Sequence, residues 1–127
     1  MMAARPYRFT GRIRRFKCAF VGMWTLLKSQ RNAWVHAFAT VAVLIAGVFL
    51  GVSSAEWSWL VLALMAVWTA EALNTALELL ADAASPEFHP LVKHSKDVAA
   101  GAVLISAIGA VVIGVLVLGP HLAECLK

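Results

Sequence analysis

The chain has 127 residues, of which 61% are hydrophobic and 14% charged, and its formal net charge is +4. A soluble domain usually has about 25% charged residues, and a domain this small buries only part of its surface, so one soluble core would leave many apolar side chains in water. The composition excludes a disordered chain, a basic nucleic-acid-binding domain and an ordinary cytosolic enzyme. It predicts a small integral membrane protein.

The first 31 residues are predicted to contain an amphipathic helix at the membrane surface, and they hold eight of the eleven Lys and Arg residues. Apolar side chains recur every three or four positions, as one helical face requires, and arginines recur in the same way on another face. The apolar positions are Phe9, Ile13, Phe16, Phe20, Met23 and Leu27, and the basic positions are Arg5, Arg8, Arg12 and Arg15. Such a pattern is typical of a helix that lies in the interface plane.

Three apolar segments follow, at residues 32–55, 57–80 and 98–120. Each reaches the ~20 residues that are needed to cross a hydrocarbon layer of ~30 Å. Because lipid offers no partner to backbone polar groups, the segments must be helices. The predicted fold is all-α, with a surface helix in residues 1–31 and one transmembrane unit of three helices in residues 32–127.

The distribution of positive charge predicts how the chain crosses the membrane. Lys and Arg favour the cytoplasmic side, so the N-terminus is expected there. A short external turn at residues 51–56 then joins the first two spans, and the loop at residues 83–95 is cytoplasmic. Lys93 and Lys96 agree with that side. The C-terminus is expected outside.

The second apolar segment carries an acidic stripe. Glu71, Asn74, Glu78 and Asp82 lie at i, i+3, i+7 and i+11, which places the three carboxylates within roughly 40° of one another on a helix. Charges inside hydrocarbon cost several kcal/mol and usually mark function. Three interpretations are open from the pattern itself: acids solvated among the headgroups, a proton or cation path in a small transporter, or chemistry on a lipid.

The loop that follows favours phosphate chemistry. Pro86 and Pro90 interrupt it, and a helix is predicted to begin at Ser95, with Lys96 and Asp97 in its first turn. A helix N-terminus with a lysine suits a phosphate group, and nearby carboxylates suit Mg²⁺, which takes one or two of them together with phosphate oxygens. These features indicate phosphoryl transfer at the membrane surface. The sequence has no P-loop or protein-kinase motif.

Several motifs along the chain occur together in one known protein family. They are Glu71-Ala-Leu-Asn74-Thr-Ala-Leu-Glu78 followed by Asp82, Ser-Pro-Glu87-Phe-His89-Pro, Lys96-Asp97-Val-Ala-Ala-Gly101-Ala-Val-Leu, Phe16-Lys17 with Ala19 and Gly22, and Arg31-Asn32 with His36. In this combination the chain resembles the bacterial diacylglycerol kinase/undecaprenol kinase family. The resemblance extends over residues 9–117.

The resemblance implies an integral-membrane homotrimer in the bacterial inner membrane, with its active site on the cytoplasmic side. It implies transfer of the ATP γ-phosphate to a lipid alcohol with Mg²⁺, undecaprenol being preferred to diacylglycerol, in phospholipid metabolism or lipid-carrier recycling. It implies that Glu71 is the general base and that Glu78 binds the metal. It places Glu78, Asn74, Asp82, Glu87, His89, Lys96 and Asp97 around ATP, and Glu71, Asn32 and His36 near the lipid.

Two positions depart from the family pattern. Gln30 stands where a glutamate usually shares the metal, and Cys18 stands where an aromatic residue is usual. An amide oxygen brings no charge, so the resemblance implies either weaker metal binding at Gln30 or another acid in its place. The alternatives to an active lipid kinase are a weakened family member and a small ion-coupled transporter.

Overall fold

The computed structural model describes residues 10–127 of the chain. Over this range it forms four helices and no strand: α1 (Thr10–Ser29), α2 (Arg31–Leu50), α3 (Ser54–Ala84) and α4 (Pro90–Cys125). The predicted all-α fold is confirmed. Arg5, Arg8 and Phe9, which belong to the predicted surface helix, lie outside the described residues.

Helices α2, α3 and α4 are each long and apolar enough to cross a membrane, which confirms the three predicted spans. Large apolar side chains cover their outer faces; Phe38 is 80% exposed and Phe49 86%. Apolar surface of this extent marks contact with a membrane or another protein. Helix α1 also exposes large apolar side chains, Phe16 and Phe20, whereas its Leu26 is buried.

The turn between α2 and α3 is shorter than predicted. Gly51 ends α2 in the left-handed conformation, with φ +64°, which a glycine adopts without a Cβ penalty. Ser53 then caps α3: its hydroxyl accepts the N–H of Glu56, and the Glu56 carboxylate accepts the N–H of Ser53 at 2.7 Å. Glu56 therefore belongs to the first turn of α3, although the sequence placed it in the loop.

The same end of the bundle is closed by two further contacts. The ring of Trp57 lies against Gly47, where an added Cβ would come within 2.5 Å of it. His121 Nε2 lies 3.0 Å from Oε1 of Glu56 and joins the last turns of α4 to the start of α3. These contacts fix the helices at the end of the bundle opposite to the acidic stripe.

The start of α4 was predicted incorrectly. The helix begins at Pro90 rather than after Ser95, because proline fits the first position of a helix, where its missing N–H is not needed. His89 is the cap, and its Nδ1 accepts the N–H of Leu91 at 3.3 Å. Lys96 and Asp97 therefore lie beyond the first turn, away from the free N–H groups of the helix end.

Candidate active site

Glu71 is the most deeply buried acid of the stripe, with 1% of its surface exposed. Within residues 10–127, its Oε2 has no hydrogen-bond partner, and the same is true of Oδ1 of Asn74 and Oγ1 of Thr75. Leaving a buried polar atom unpaired costs about 1–3 kcal/mol, so three such atoms on adjacent turns of α3 call for an explanation. They are suited to a polar ligand group.

A histidine from α2 faces this carboxylate. Nε2 of His36 lies 3.7 Å from Oε2 of Glu71, beyond hydrogen-bond length but within the range of an ion pair, and the His36 side chain is 17% exposed. The edge of its ring packs on Trp68, with 6.4 Å between ring centroids. The indole N–H of Trp68 donates to the hydroxyl of Thr40 at 2.9 Å, and that hydroxyl donates to the carbonyl of His36 at 2.7 Å. His36 is thus held by both helices.

An apolar cavity of about 330 Å³ opens between α2, α3 and α4 beside this group. Its walls include Val43, Leu64 and Val111, and its polar lining is limited to His36, Thr40 and the indole of Trp68. Such a cavity suits a hydrocarbon chain with one polar end. His36, the side chain that contacts Glu71, is part of the cavity lining.

Glu78 lies two turns further along α3, roughly 10 Å from Glu71 at ~1.5 Å per residue. Both of its carboxylate oxygens accept hydrogen bonds from amides. Asn74 Nδ2 donates to Oε1 at 3.2 Å, and Gln30 Nε2 donates to Oε2 at 2.6 Å. Gln30 caps the start of α2, so the junction between α1 and α2 is fixed to the acidic face of α3.

The cytoplasmic ends of α3 and α4, in the predicted topology, are joined by an ion pair. Nζ of Lys96 lies 2.5 Å from Oδ1 of Asp82. The structure thus brings Lys96 to the acidic stripe, but Asp97 lies on another face, where it pairs with Lys93 at 2.6 Å. This arrangement separates two neighbouring residues that the resemblance places around one nucleotide.

The remaining predicted site residues, Glu87, His89 and Asn32, are exposed. Glu87 lies exposed in the α3–α4 connection, where its backbone carbonyl accepts from Ser85. His89 is exposed and caps α4. Asn32 is exposed in the first turn of α2, whereas His36, one turn further on, reaches Glu71.

The sequence matches one family over most of its length. The family described as prokaryotic diacylglycerol kinase matches residues 17–118. The chain belongs to this family. The family is one of lipid kinases, so the chain is an enzyme of that class, as the resemblance implied.

Individual members are similar over much of their own length. Undecaprenol kinase of Bacillus subtilis (strain 168) is 39% identical over 114 residues, which are 87% of this chain and 93% of that protein. The diacylglycerol kinase of Synechocystis sp. is 40% identical over 108 residues, 84% of this chain and 62% of that protein. The diacylglycerol kinase of Escherichia coli (strain K12) is 36% identical over 101 residues, 74% and 83% of the two chains. Undecaprenol kinases and diacylglycerol kinases thus both occur among the relatives of this lipid kinase.

The donors near Glu78 fit Mg²⁺ only together with a phosphate ligand. Among the side chains of residues 10–127, no three His, Cys, Asp or Glu come together in a group that would hold a metal ion. Mg²⁺, however, is usually bound by one or two carboxylates, substrate phosphates and waters rather than by a protein cage. Glu78 supplies the one carboxylate that this mode of binding requires, and the amide nitrogen of Gln30 that faces it adds no metal ligand.

Three side chains of this site were not predicted from the sequence. Thr75 is buried beside Asn74, and Trp68 and Thr40 support His36. For Thr75 a signal exists, since it lies four positions after Glu71 and therefore on the same helical face. For Trp68 and Thr40 there is none, because an aromatic and a hydroxyl residue in apolar helices are ordinary and only the packing of α2 on α3 brings them together.

Proposed function

We propose that this lipid kinase transfers the γ-phosphoryl group of ATP to the hydroxyl of a membrane lipid alcohol, with undecaprenol preferred and diacylglycerol second. The observation that carries the proposal is the position of two acids on one face of α3. Glu71 is buried, whereas Glu78, two turns away, is half-buried and accepts hydrogen bonds from two side-chain amides. A base for the lipid hydroxyl and a site for the nucleotide's metal are thereby separated along the membrane normal.

Glu71 acts as the general base. Its Oε2, free of hydrogen bonds from residues 10–127, accepts the proton of the lipid hydroxyl as the hydroxyl oxygen bonds to the γ-phosphorus. The bond between that phosphorus and the bridging oxygen of ATP breaks, and ADP retains its electron pair. The buried amide of Asn74 and hydroxyl of Thr75 are available to orient polar groups of the reactants.

The nucleotide is placed at the outer turns of the stripe. Glu78 would hold Mg²⁺, with the side-chain oxygen of Gln30 as a neutral second donor. In this proposal Lys96 contacts the phosphates of the nucleotide, and Asp82, Glu87, His89 and Asp97 border it, although in this structure Asp97 pairs with Lys93 on another face of α4. When bound, Mg²⁺ would supply positive charge that offsets the charge developing on the phosphoryl group during transfer. Lys96 supports this role because it already contacts the acidic face through Asp82.

The choice of undecaprenol is supported by similarity, since the undecaprenol kinase of Bacillus subtilis matches this chain over 93% of that protein's length. The cavity beside His36 is lined almost wholly by hydrocarbon and suits the chains of either lipid. His36 and Asn32 border the lipid in this proposal. The enzyme acts in the bacterial inner membrane, with the N-terminus and active site cytoplasmic and the C-terminus outside, as a homotrimer in lipid-carrier recycling or phospholipid synthesis.

A weakened enzyme is the second candidate, and Gln30 is the observation that favours it. Its amide nitrogen faces Glu78, so the group presented to the metal side is a hydrogen-bond donor rather than a second carboxylate. A site with one charge fewer binds Mg²⁺ less tightly.

The test of the proposed function offers undecaprenol and diacylglycerol together, in equal amounts, to purified protein in mixed micelles with radiolabelled ATP and Mg²⁺. We expect both lipids to be phosphorylated, with a higher kcat/KM for undecaprenol. Phosphorylation of diacylglycerol alone would overturn the lipid preference. Phosphorylation of neither lipid over a wide range of Mg²⁺ would overturn the function.

A further inference from the structure

His36 is the one basic side chain in the described part of the chain that comes within 4 Å of the Glu71 carboxylate. The carboxylate is 1% exposed, so no proton passes directly between it and water. His36 is 17% exposed and thus connects the buried acid to the surface of the protein. The three unpaired atoms of α3 include the Glu71 oxygen that faces this imidazole.

Two neighbouring side chains hold His36 in place. Trp68 contacts its ring through an edge, and Thr40 receives the indole N–H while it donates to the His36 carbonyl. Trp68 and Glu71 are one turn apart on α3, and His36 and Thr40 are one turn apart on α2. Trp68 and Thr40 thereby hold the imidazole of His36 opposite the carboxylate of Glu71.

We infer that His36 is a positioning residue that receives from Glu71 the proton taken from the lipid hydroxyl. The inference rests on the proposed function and extends it by one step. In water an imidazole is a stronger base than a carboxylate, and histidine is the side chain that most often moves protons near neutral pH.

The step balances without any further reactant. Glu71 accepts the hydroxyl proton while the O–P bond forms and the P–O bond to ADP breaks. The proton then moves from Oε2 of Glu71 to Nε2 of His36, across a gap of 3.7 Å that one small shift of either side chain closes to hydrogen-bond length. His36 lies in the second turn of α2, near the end that is expected to be cytoplasmic, and it releases the proton to interfacial water there. Glu71 is then again a carboxylate for the next turnover.

Within the part of the chain that the structure describes, the cavity beside the imidazole is lined by no Lys, Arg, Asp or Glu. Glu71 is the ionisable group that α3 presents to it. The stretch of α4 that lines the cavity, at residues 107–114, consists of apolar and small residues. On α2 the nearest ionisable residue in sequence is Arg31, at the start of the helix.

The test compares His36→Ala and His36→Gln with the wild-type enzyme in the mixed-micelle assay between pH 5 and 8. Glutamine retains a hydrogen-bonding group of similar size but cannot accept the proton. His121→Gln is the matched control, because it removes a histidine whose contact with Glu56 lies at the far end of the bundle. We expect kcat to fall at least about 10-fold in both His36 variants, KM for lipid to change by a smaller factor than kcat, and the control to keep the wild-type rate.

Added imidazole separates a proton role from a structural one. In His36→Ala the lost side chain leaves space beside an existing cavity, so free imidazole should restore part of kcat there and none in His36→Gln. We expect the dependence of kcat on pH to differ between the wild type and both variants. An active His36→Gln, or a His36→Ala enzyme that imidazole does not restore, would overturn the role of His36 and leave the kinase function standing. A wild-type enzyme without lipid kinase activity would instead refute the proposed function.

Discussion

The amide nitrogen of Gln30 donates a 2.6 Å hydrogen bond to Oε2 of Glu78, across 48 positions of sequence. Asn74 donates to the other oxygen at 3.2 Å. The carboxylate that we assign to the metal therefore has both oxygens satisfied by neutral donors before a cation binds. An unpaired buried carboxylate would be costly, so the glutamine stabilises the metal-free fold while it adds no charge to the metal site.

Replacing Gln30 with glutamate should strengthen Mg²⁺ binding. In Gln30→Glu a second carboxylate faces Glu78, and the apparent Mg²⁺ concentration for half-maximal activity should fall about 10-fold, because a hydrogen bond or contact to a charged group is worth about 1.5–3 kcal/mol. The measurement is initial rate against Mg²⁺ concentration at saturating ATP and lipid. Without Mg²⁺ the variant should melt at a lower temperature than the wild type, since two carboxylates then repel each other.

Gln30→Ala is the matched control for this experiment. It removes the hydrogen bond without adding charge, so it should lower the melting temperature and leave the apparent affinity for Mg²⁺ unimproved. If Gln30→Glu needs as much Mg²⁺ as the wild type, the residue does not share the metal and the explanation of a weakened site is wrong.

The contacts of Gln30 and His36 could not be predicted from the sequence. The acidic stripe on α3 was predictable because the helical period alone places Glu71, Glu78 and Asp82 on one face. The contacts of Glu78 and Glu71 were not, because Gln30 is the N-cap residue of α2 and His36 lies in its second turn, and only the packing of α2 on α3 sets the distances. The resemblance placed position 30 at the metal together with Glu78 and placed His36 near the lipid, without a contact between His36 and Glu71.

Replacing Lys96 should weaken ATP binding more than it lowers the stability of the fold. Its ion pair with Asp82 is solvent-exposed on one side and so contributes little to stability. In Lys96→Met we expect KM for ATP to rise about 10-fold, because a charge-assisted bond to phosphate is lost, while the melting temperature changes little. The measurement is the ATP dependence of the initial rate together with a thermal unfolding curve.

Lys93→Met provides the comparison for Lys96. It removes the same charge from the same helix and also breaks an ion pair, that with Asp97. We expect KM for ATP to stay within about twofold of the wild type. Equal effects of the two substitutions would mean that Lys96 acts through net charge alone and does not contact the nucleotide.

The start of α4 shows a second limit of sequence analysis. Two prolines were interpreted as a break, which holds for Pro86 in the connection but not for Pro90, the first residue of the helix. The two cases differ in what precedes the proline, since His89 supplies the cap that a helix start needs. This error did not affect the prediction of the three spans, because a span is predicted from the length of an apolar run and not from the first residue of the helix.

Gly47 should be intolerant of even one added methyl group. A Cβ there would lie 2.5 Å from the Trp57 ring, so Gly47→Ala forces the indole or the helix to shift and should lower the free energy of unfolding by about 1–3 kcal/mol. Thermal unfolding in detergent measures the loss. Adding Trp57→Leu to Gly47→Ala should recover part of it, because the clashing ring is then absent.

Gly109 is the matched control on α4, since no described atom lies within 4 Å of its added Cβ. Gly109→Ala should be neutral or slightly stabilising, because alanine favours a helix more than glycine does. If the two alanine variants melt alike, the close contact of α2 with Trp57 does not determine the packing of this end.

The central claim is that Glu71 is the base that takes the proton of a lipid hydroxyl, and Glu71→Gln tests it most directly. The substitution keeps the size of a buried side chain and removes only its ability to accept that proton, while Glu56→Gln makes the same change at the far end of α3, outside the site. Lipid phosphate formed from radiolabelled ATP in mixed micelles is the quantity to measure. The account predicts a fall in kcat of at least about 100-fold for Glu71→Gln and wild-type turnover for Glu56→Gln, with both proteins folded; a Glu71→Gln enzyme that phosphorylates lipid at the wild-type rate would contradict it.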